Sequence, residues 1–162
     1  MAVPKNCIIL LAGVPASGKS TFGRHLSRAH DFAHYDLECY PRGWPHPELK
    51  SFWDTSLAVF ISQIKQYHPR VALDWGFPVH CLPVVRELQH QRVRLLWFQA
   101  DVSQARKVFV ERGGIALSNF DKQVADIGKA GYPKTLACEV VETLSNGGTF
   151  LDLEKITDMI FP

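Results

Sequence analysis

The feature that most constrains the fold of this chain is a glycine-rich segment near its amino terminus. The segment consists of Gly13, Val14, Pro15, Ala16, Ser17, Gly18, Lys19, Ser20 and Thr21. It matches the pattern GxxxxGK[ST], known as Walker A, in which a loop between a strand and a helix binds a polyphosphate. The apolar run Cys7–Ala12 precedes it and a segment with helical periodicity follows it. The alternative interpretation is an ordinary glycine-rich turn with a surface lysine, but such a turn does not have to lie between a strand and a helix.

The residue types of this loop fit the chemistry of phosphate binding. Gly13 and Gly18 allow unusual backbone dihedral angles, so that successive N–H groups point toward an anion. The helix that begins near Gly18 adds its positive end. Lys19 is expected to reach the outer phosphates, and the hydroxyl of Ser20 is a candidate magnesium ligand.

Length and composition indicate one folded domain over residues 1–162. The chain is long enough to bury a sizeable core. Its content of 46% hydrophobic and 21% charged residues is ordinary for a globular protein. The formal net charge of +2 does not by itself indicate a nucleic-acid or membrane partner. We expect a monomer or a small homo-oligomer.

Cysteine spacing and hydropathy favour a cytoplasmic location. Cys7, Cys39, Cys81 and Cys138 include no C-x-x-C pair, so neither a zinc site nor a disulfide framework is indicated. The first apolar run superficially resembles a secretory signal, but cleavage there would remove the loop. No apolar run approaches the length of about eighteen residues that indicates a membrane span.

Apolar segments of strand and helix type alternate along most of the chain, which predicts an α/β fold with a parallel sheet covered on both faces. The predicted strands are Cys7–Ala12, Phe32–Asp36, Val71–Asp74, Val93–Phe98 and Cys138–Leu144. The predicted helices are Thr21–Ala29, Glu48–Gln66, Pro83–Gln91, one capped by Asp101 and ending at Arg112, a short one over Asp121–Lys129, and one capped by Asp152.

Acidic residues follow two of the predicted strands. In an open parallel sheet, ligands bind outside the carboxyl ends of the strands, where the loop, Asp36 and Asp74 are predicted to meet. Asp74 fits a carboxylate that holds magnesium directly or through water. Asp36 is a candidate general base for a substrate hydroxyl, with Glu38 and Asp74 as rivals. Either aspartate could instead stabilise a turn.

Arginines follow the fourth predicted strand. Arg106 and Arg112 are candidates to stabilise charge on a transferred phosphoryl group, from a lid segment around residues 102–135. Surface helices also carry arginine as a solvated residue, so the sequence alone does not decide whether these arginines act on a phosphoryl group.

These motifs together resemble the small P-loop kinases of the adenylate kinase-like class, and particularly the AAA-type ATP-binding kinase-like proteins. That group includes polynucleotide kinase domains and relatives of zeta-toxin and chloramphenicol phosphotransferase. The matching positions are Gly13–Thr21, Asp36, Val71–Phe77 and Trp97–Asp101, which leads into Arg106 and Arg112. The resemblance implies a three-layer P-loop NTPase fold with strand order 2-3-1-4-5. It also implies ATP and Mg²⁺ as cosubstrate and cofactor, and phosphoryl transfer to a hydroxyl.

Three functions remain open from the sequence. The first is a kinase for the hydroxyl of a small molecule, with an acceptor pocket lined by residues 37–47, the start of the long helix at Glu48 and residues 75–78. There Trp44, Trp75 and Phe77 either stack on a planar substrate or simply cover the sheet end. The second is a nucleic-acid 5′-hydroxyl kinase, for which the basic residues are Arg42, Lys50, Arg86 and Arg92. The third is an ATP-binding regulatory module without catalysis. The histidines show no metal-ligand spacing. The nearest approach to a metal-binding group in the sequence is His34 with Cys39 and His46.

Overall fold

The computed structural model describes residues 3–39, 42–113, 116–143 and 149–162. The strands are β1 (Cys7–Gly13), β2 (Ala33–Asp36), β3 (Arg70–Asp74), β4 (Arg94–Gln99) and β5 (Glu139–Glu142). The α-helices are α1 (Lys19–Ala29), α2 (Lys50–Thr55), α3 (Leu57–Tyr67), α4 (Leu82–His90), α5 (Val102–Arg112), α6 (Leu117–Ala130) and α7 (Leu153–Ile160). The predicted turn at residues 145–148, and Leu144 before it, lie outside the described residues.

The described strands form one parallel sheet in the order β2-β3-β1-β4-β5, which confirms the predicted fold class and strand order. β1 lies at the centre, between β3 and β4. Its residues from Ile8 to Gly13 are buried, because a central parallel strand is covered on both faces. The register places Asp36 at the end of β2 beside Asp74 at the end of β3. The last residue of β1, Gly13, lies beside Phe98 of β4.

Helices cover both faces of the sheet and produce three layers. Alternate residues of β1 point to opposite faces, so Leu10 joins one core cluster and Ile9 the other. The first cluster also contains apolar residues of α3 and α4, and the second contains those of α1 and α7. The buried residues of the helices recur at helical spacing, as for Phe22 and Leu26 of α1, which are fully buried.

The predicted long helix over Glu48–Gln66 is wrong, because the chain breaks at Ser56. Ser56 adopts an extended conformation with φ −156° and ψ 104°, and its hydroxyl accepts a hydrogen bond from the N–H of Val59 at 3.4 Å. A serine that caps a helix in this way starts a new helix, since its side chain satisfies a backbone donor. The result is two helices, α2 and α3, in place of one.

The bounds of α6 and β5 also differ from the sequence prediction. α6 runs from Leu117 to Ala130, longer than the predicted Asp121–Lys129, and β5 is the shorter Glu139–Glu142. Phe120 in the first turn of α6 is buried. Its ring lies 5.0 Å from that of Phe109 on α5, so packing against α5 stabilises the additional turn. None of the helices in the described residues combines the length and the apolar composition needed to cross a membrane.

Candidate phosphate and acceptor site

The glycine-rich loop turns sharply between β1 and α1. Gly13 has φ +142°, and a Cβ atom built on it would lie 2.5 Å from the carbonyl oxygen of Phe98. Ala16 and Gly18 also have positive φ, at 59° and 92°. Only a residue without a side chain fits at Gly13, because that oxygen belongs to the backbone of the neighbouring strand. The turn therefore places the start of α1 directly above the carboxyl edge of the sheet.

Lys19 lies inside this loop. Its side chain is 7% exposed, and Nζ donates hydrogen bonds to the carbonyl oxygens of Val14 at 3.0 Å and Gly13 at 3.4 Å. Burial lowers the pKa of the Lys19 ammonium below its ordinary value, while the nearby negative charge of Glu38 opposes that shift. The hydroxyl of Ser17 is buried and has no hydrogen-bond partner among the described residues. The loop thus holds a buried cation and an unpaired buried hydroxyl, both suited to phosphate oxygens.

A cavity of about 490 Å³ lies against this loop. The predicted loop residues Pro15, Ala16, Ser17, Gly18, Lys19, Ser20 and Thr21 line it together with Asp36, Glu38, Gly76 and Arg112. These residues come from the ends of different strands and from α5, as expected for a site at the carboxyl edge of a parallel sheet. Arg24 of α1 also lines the cavity and was not singled out from the sequence.

Asp36 borders the cavity and also stabilises the turn after β2. Its Oδ1 accepts hydrogen bonds from the backbone N–H groups of Glu38 at 2.9 Å and Cys39 at 3.1 Å. This is the Asx turn that the sequence left open as an alternative. The negative charge of Asp36 is the main reason why the pKa of the Cys39 thiol is raised, so that thiol is a poor nucleophile.

Glu38 reaches across the cavity toward the loop after β3. Its Oε1 accepts a hydrogen bond from the N–H of Gly76 at 2.9 Å. A Cβ on Gly76 would lie 2.8 Å from that oxygen and 3.5 Å from Nζ of Lys19, so the three groups meet. The side chain opens onto the cavity, but the surrounding walls remove enough water to raise the pKa of Glu38, and the charge of Lys19 opposes that shift.

Asp74 lies deeper than the other acids. It is 2% exposed, and its Oδ2 lies 3.2 Å from Nε2 of His34 on β2. The imidazole fits there because Gly23 of α1 has no side chain: a Cβ at Gly23 would lie 2.5 Å from the same nitrogen. Asp74 is therefore behind the cavity wall, yet its charge still influences Lys19. The pairing of His34 with Asp74 could not be read from spacing, since the two residues are far apart in the sequence.

The structure separates the two candidate arginines. Arg112, at the end of α5, lines the cavity. Arg106 pairs instead with Asp121 of α6, with Nε 3.1 Å from Oδ1. The predicted lid segment, residues 102–135, corresponds to α5, α6 and the chain that follows. Arg106 contributes to the contact between those helices, and Arg112 supplies positive charge to the cavity.

The predicted stacking residues lie mostly in the core. Trp44 is 5% exposed, and its Nε1 donates to the carbonyl oxygen of Asp36 at 2.8 Å. Trp75 packs edge-on against Trp53 with 5.4 Å between ring centroids. These contacts favour the role of covering the sheet end. Phe77 is also largely buried but lines a second cavity of about 790 Å³.

The second cavity adjoins the first. Gly76 and two residues of α6, Asn119 and Gln123, line both. The remaining lining includes Gly13 at the end of β1 and the polar face of α6 with Lys122. The two spaces thus meet where β1, the loop after β3 and α6 come together.

Comparison with solved structures gives a likeness over nearly the whole chain. A sugar kinase from Janibacter sp. HTCC2649 has a TM-score of 0.60 and 15% identity, with 96% of this chain and 92% of that chain covered. A shikimate kinase from Bacteroides thetaiotaomicron has a TM-score of 0.59 and 14% identity, with 95% of each chain covered. A gluconokinase from Sinorhizobium meliloti 1021 has a TM-score of 0.53 and 13% identity, with 98% of each chain covered.

Comparison of the sequence with models of known protein families gave no match, and comparison with curated protein sequences gave none either. At identities this low, the structural likeness establishes the fold alone. That fold is the α/β architecture of the small P-loop kinases, as predicted. The finer expectation of a relationship to polynucleotide kinase, zeta-toxin or chloramphenicol phosphotransferase is not confirmed by these neighbours.

Proposed function

We propose that the protein is an ATP-dependent phosphotransferase that moves the γ-phosphate to a hydroxyl of a small molecule. The observation that carries this proposal is the cavity that joins the glycine-rich loop to Asp36, Glu38 and Arg112. A phosphate-binding loop alone would also suit a regulatory module. This cavity is also lined by acidic groups and an arginine, which phosphoryl transfer requires.

The loop supplies the groups that bind a triphosphate. Nζ of Lys19 donates to the loop's own carbonyl oxygens, and a phosphate would give this buried ammonium an anionic partner. The hydroxyl of Ser17 and the N–H groups at the start of α1 offer further donors. Burial lowers the pKa of Lys19, and an anion beside it would raise that pKa and stabilise the charged form.

The donor set fits magnesium. Ser20 lines the cavity, and Asp74 is buried close enough for its charge to influence Lys19. We expect Asp74 to hold the ion directly or through water. Hydroxyl and carboxylate oxygens are the hard ligands that Mg²⁺ prefers, and the ion is usually held by few protein groups together with the phosphates. When bound, Mg²⁺ neutralises charge on the phosphate oxygens. His34 fixes the orientation of the Asp74 carboxylate through the contact between Nε2 and Oδ2.

The proposed base is Asp36, which we expect to accept the proton of the attacking hydroxyl. Two backbone N–H groups hold its Oδ1, so the carboxylate is oriented before a substrate arrives. Glu38 is the rival, because its raised pKa makes it a stronger proton acceptor than an ordinary glutamate. Substitution of each by its amide separates the two, since an amide keeps the shape but accepts no proton.

Arg112 is proposed to stabilise charge on the transferred phosphoryl oxygens. It lines the cavity from the end of α5, and its positive charge contributes to the lowered pKa of Lys19. Both cations therefore act on the same region of space. Closure of the lid segment, residues 102–135, would exclude water and strengthen this interaction.

The second cavity supports a small acceptor. It is about 790 Å³ in volume, within the range of about 300–1,000 Å³ that is typical of small-molecule sites. Phe77 and Pro78 offer apolar surface, and Lys122 and Asp126, which form an ion pair with Nζ 2.7 Å from Oδ2, offer polar groups. An acceptor held there would present a hydroxyl toward Asp36, Glu38 and the phosphate loop.

The test is a screen of small hydroxyl compounds, including sugars, sugar acids and cyclic polyols, for ADP release with Mg²⁺ and ATP. We expect at least one class of compound to raise ADP release above background and to yield a phosphorylated product by mass spectrometry. Lys19→Met is the negative control, and Arg106→Met is the matched control in a residue outside the cavity. Stable ATP binding without product across the panel would favour a regulatory module instead.

A further inference from the structure

A second group of potential ligands lies at the far end of α1 from the glycine-rich loop. His25 belongs to α1, His30 caps its carboxyl end, and Glu154 lies in the first turn of α7. Nε2 of His30 lies 3.0 Å from Oε2 of Glu154, and Nε2 of His25 lies 3.4 Å from Oε1. Helix α1 rises about 1.5 Å per residue, so His25 and His30 lie about 9 and 16 Å along the helix axis from Lys19.

The spacing of these atoms is close to that around a bound metal ion. The ligand atoms of His25, His30 and Glu154 all lie within 4.8 Å of one another. Zinc binds imidazole nitrogen and carboxylate oxygen at about 2.0–2.2 Å, which places tetrahedral ligands about 3.4 Å apart. The 3.4 Å distance from Nε2 of His25 to Oε1 of Glu154 equals that separation, and the distance from Nε2 of His30 to Oε2 is shorter, at 3.0 Å.

The backbone around the cluster is fixed by its own hydrogen bonds. The carbonyl oxygen of His30 accepts from Nη1 of Arg70 at 3.0 Å. The N–H of Glu154 donates to Oδ1 of Asp152 at 2.9 Å, which caps α7. The hydroxyl of Thr157, one turn further along α7, lies 3.4 Å from Nε2 of His25. The ligands are therefore presented from anchored helix ends.

The two imidazoles are sheltered while the carboxylate remains accessible. The side chains of His25 and His30 are 14% and 21% exposed, and that of Glu154 is 57% exposed. A metal ion can therefore enter from solvent along the carboxylate and meet nitrogen ligands that are held against the protein. Two imidazoles with one carboxylate are a donor set that suits zinc and similar ions and leaves a position for water.

We propose that His25, His30 and Glu154 bind one divalent ion of the zinc, cobalt or nickel type. This site is separate from the magnesium site of the proposed kinase reaction. It joins α1 to α7, so the bound ion stabilises the contact between the helix that begins at the phosphate loop and the carboxyl-terminal helix. A plain histidine–glutamate ion pair is the competing explanation, and it predicts no metal binding.

The test is titration of the metal-free full chain with Zn²⁺ by calorimetry and with Co²⁺ by visible absorption. We expect one ion per chain and cobalt absorption bands of a nitrogen and oxygen site. Glu154→Gln and His30→Ala should each weaken binding by at least about tenfold. Zn²⁺ at a hundredfold excess over its Kd should raise the Tm by about 5–10 °C.

Two variants control for other ligands. His90→Ala removes an exposed histidine at the end of α4, and Cys39→Ser removes an exposed thiol. Both should leave binding unchanged. The proposal is overturned if the wild type binds no Zn²⁺ or Co²⁺, if Glu154→Gln and His30→Ala both bind as tightly as the wild type, or if Cys39→Ser abolishes binding. Glu154 belongs to α7 and His30 caps α1, so the two variants change different helices. If one variant misfolds, the other still tests the proposal.

Discussion

Substitution of Gly13 by alanine tests whether the backbone geometry at the end of β1 holds the loop in place. Gly13 has φ +142°, and a Cβ there would lie 2.5 Å from the carbonyl oxygen of Phe98 and 3.2 Å from its Cβ. An L-residue in that conformation costs about 1–3 kcal/mol. The β4 backbone must also move to relieve the contact, at the expense of about one hydrogen bond, or about 1–2 kcal/mol. The expected loss of stability is therefore about 2–5 kcal/mol.

The assay is chemical and thermal unfolding followed by circular dichroism. For a domain of this size about 1 kcal/mol corresponds to 2–4 °C in Tm, so Gly13→Ala should lower the Tm by about 4–20 °C. Gly128→Ala is the matched control, because it lies within α6 and a Cβ there meets nothing within 4 Å. It should stabilise the protein by about 0.5–1 kcal/mol. An unchanged Tm and unchanged ATP binding in Gly13→Ala would refute the reasoning.

Three further predictions concern the acids and arginines. Asp36→Asn should lower kcat for the identified acceptor by about 10²–10⁴-fold with ATP affinity nearly unchanged; an unchanged kcat removes Asp36 from the mechanism. Arg112→Met should lower kcat by at least about tenfold, while Arg106→Met should mainly lower stability. Steady-state kinetics and unfolding curves of both variants test this. A larger loss of kcat in Arg106→Met than in Arg112→Met would contradict it. For Glu38, the raised pKa means that ionisation costs stability in the folded state, and this cost is small at pH 4 and grows toward pH 7 as the pH rises through the folded pKa. Between pH 4 and pH 7, the stability of Glu38→Gln relative to the wild type should therefore increase. Denaturant unfolding of both proteins at the two pH values measures this difference. A difference that stays constant would contradict the reasoning.

The central architecture could be predicted because it depends on local patterns. The strand that ends at Gly13 is a short continuous apolar run, and the helix after it shows a clear buried stripe. Asp36 and Asp74 end neighbouring parallel strands, and their register in the sheet places them side by side as expected. The wall of the cavity follows from that arrangement, whereas the order of the five strands was predicted from the resemblance to the small P-loop kinases.

The features that the sequence did not reveal depend on contacts between distant segments. His34 meets Asp74 only because Gly23 on a third segment leaves room for the imidazole. Likewise, 124 residues separate His30 from Glu154, so a search for ligand spacing finds nothing there. The break at Ser56 was missed for a different reason, since apolar residues continue at helical spacing on both sides of it.

The measurement that tests the proposed function most directly is calorimetric titration of the protein with ATP and Mg²⁺, for the wild type and for Lys19→Met. We predict binding of one nucleotide per chain by the wild type and a loss of at least about tenfold in affinity for the variant, because a buried charge-assisted contact to phosphate contributes about 1.5–3 kcal/mol. Absence of binding heat in the wild type, together with no displacement of a fluorescent ATP analogue, would contradict the proposal. Equal affinity in the two proteins would contradict the role of Lys19.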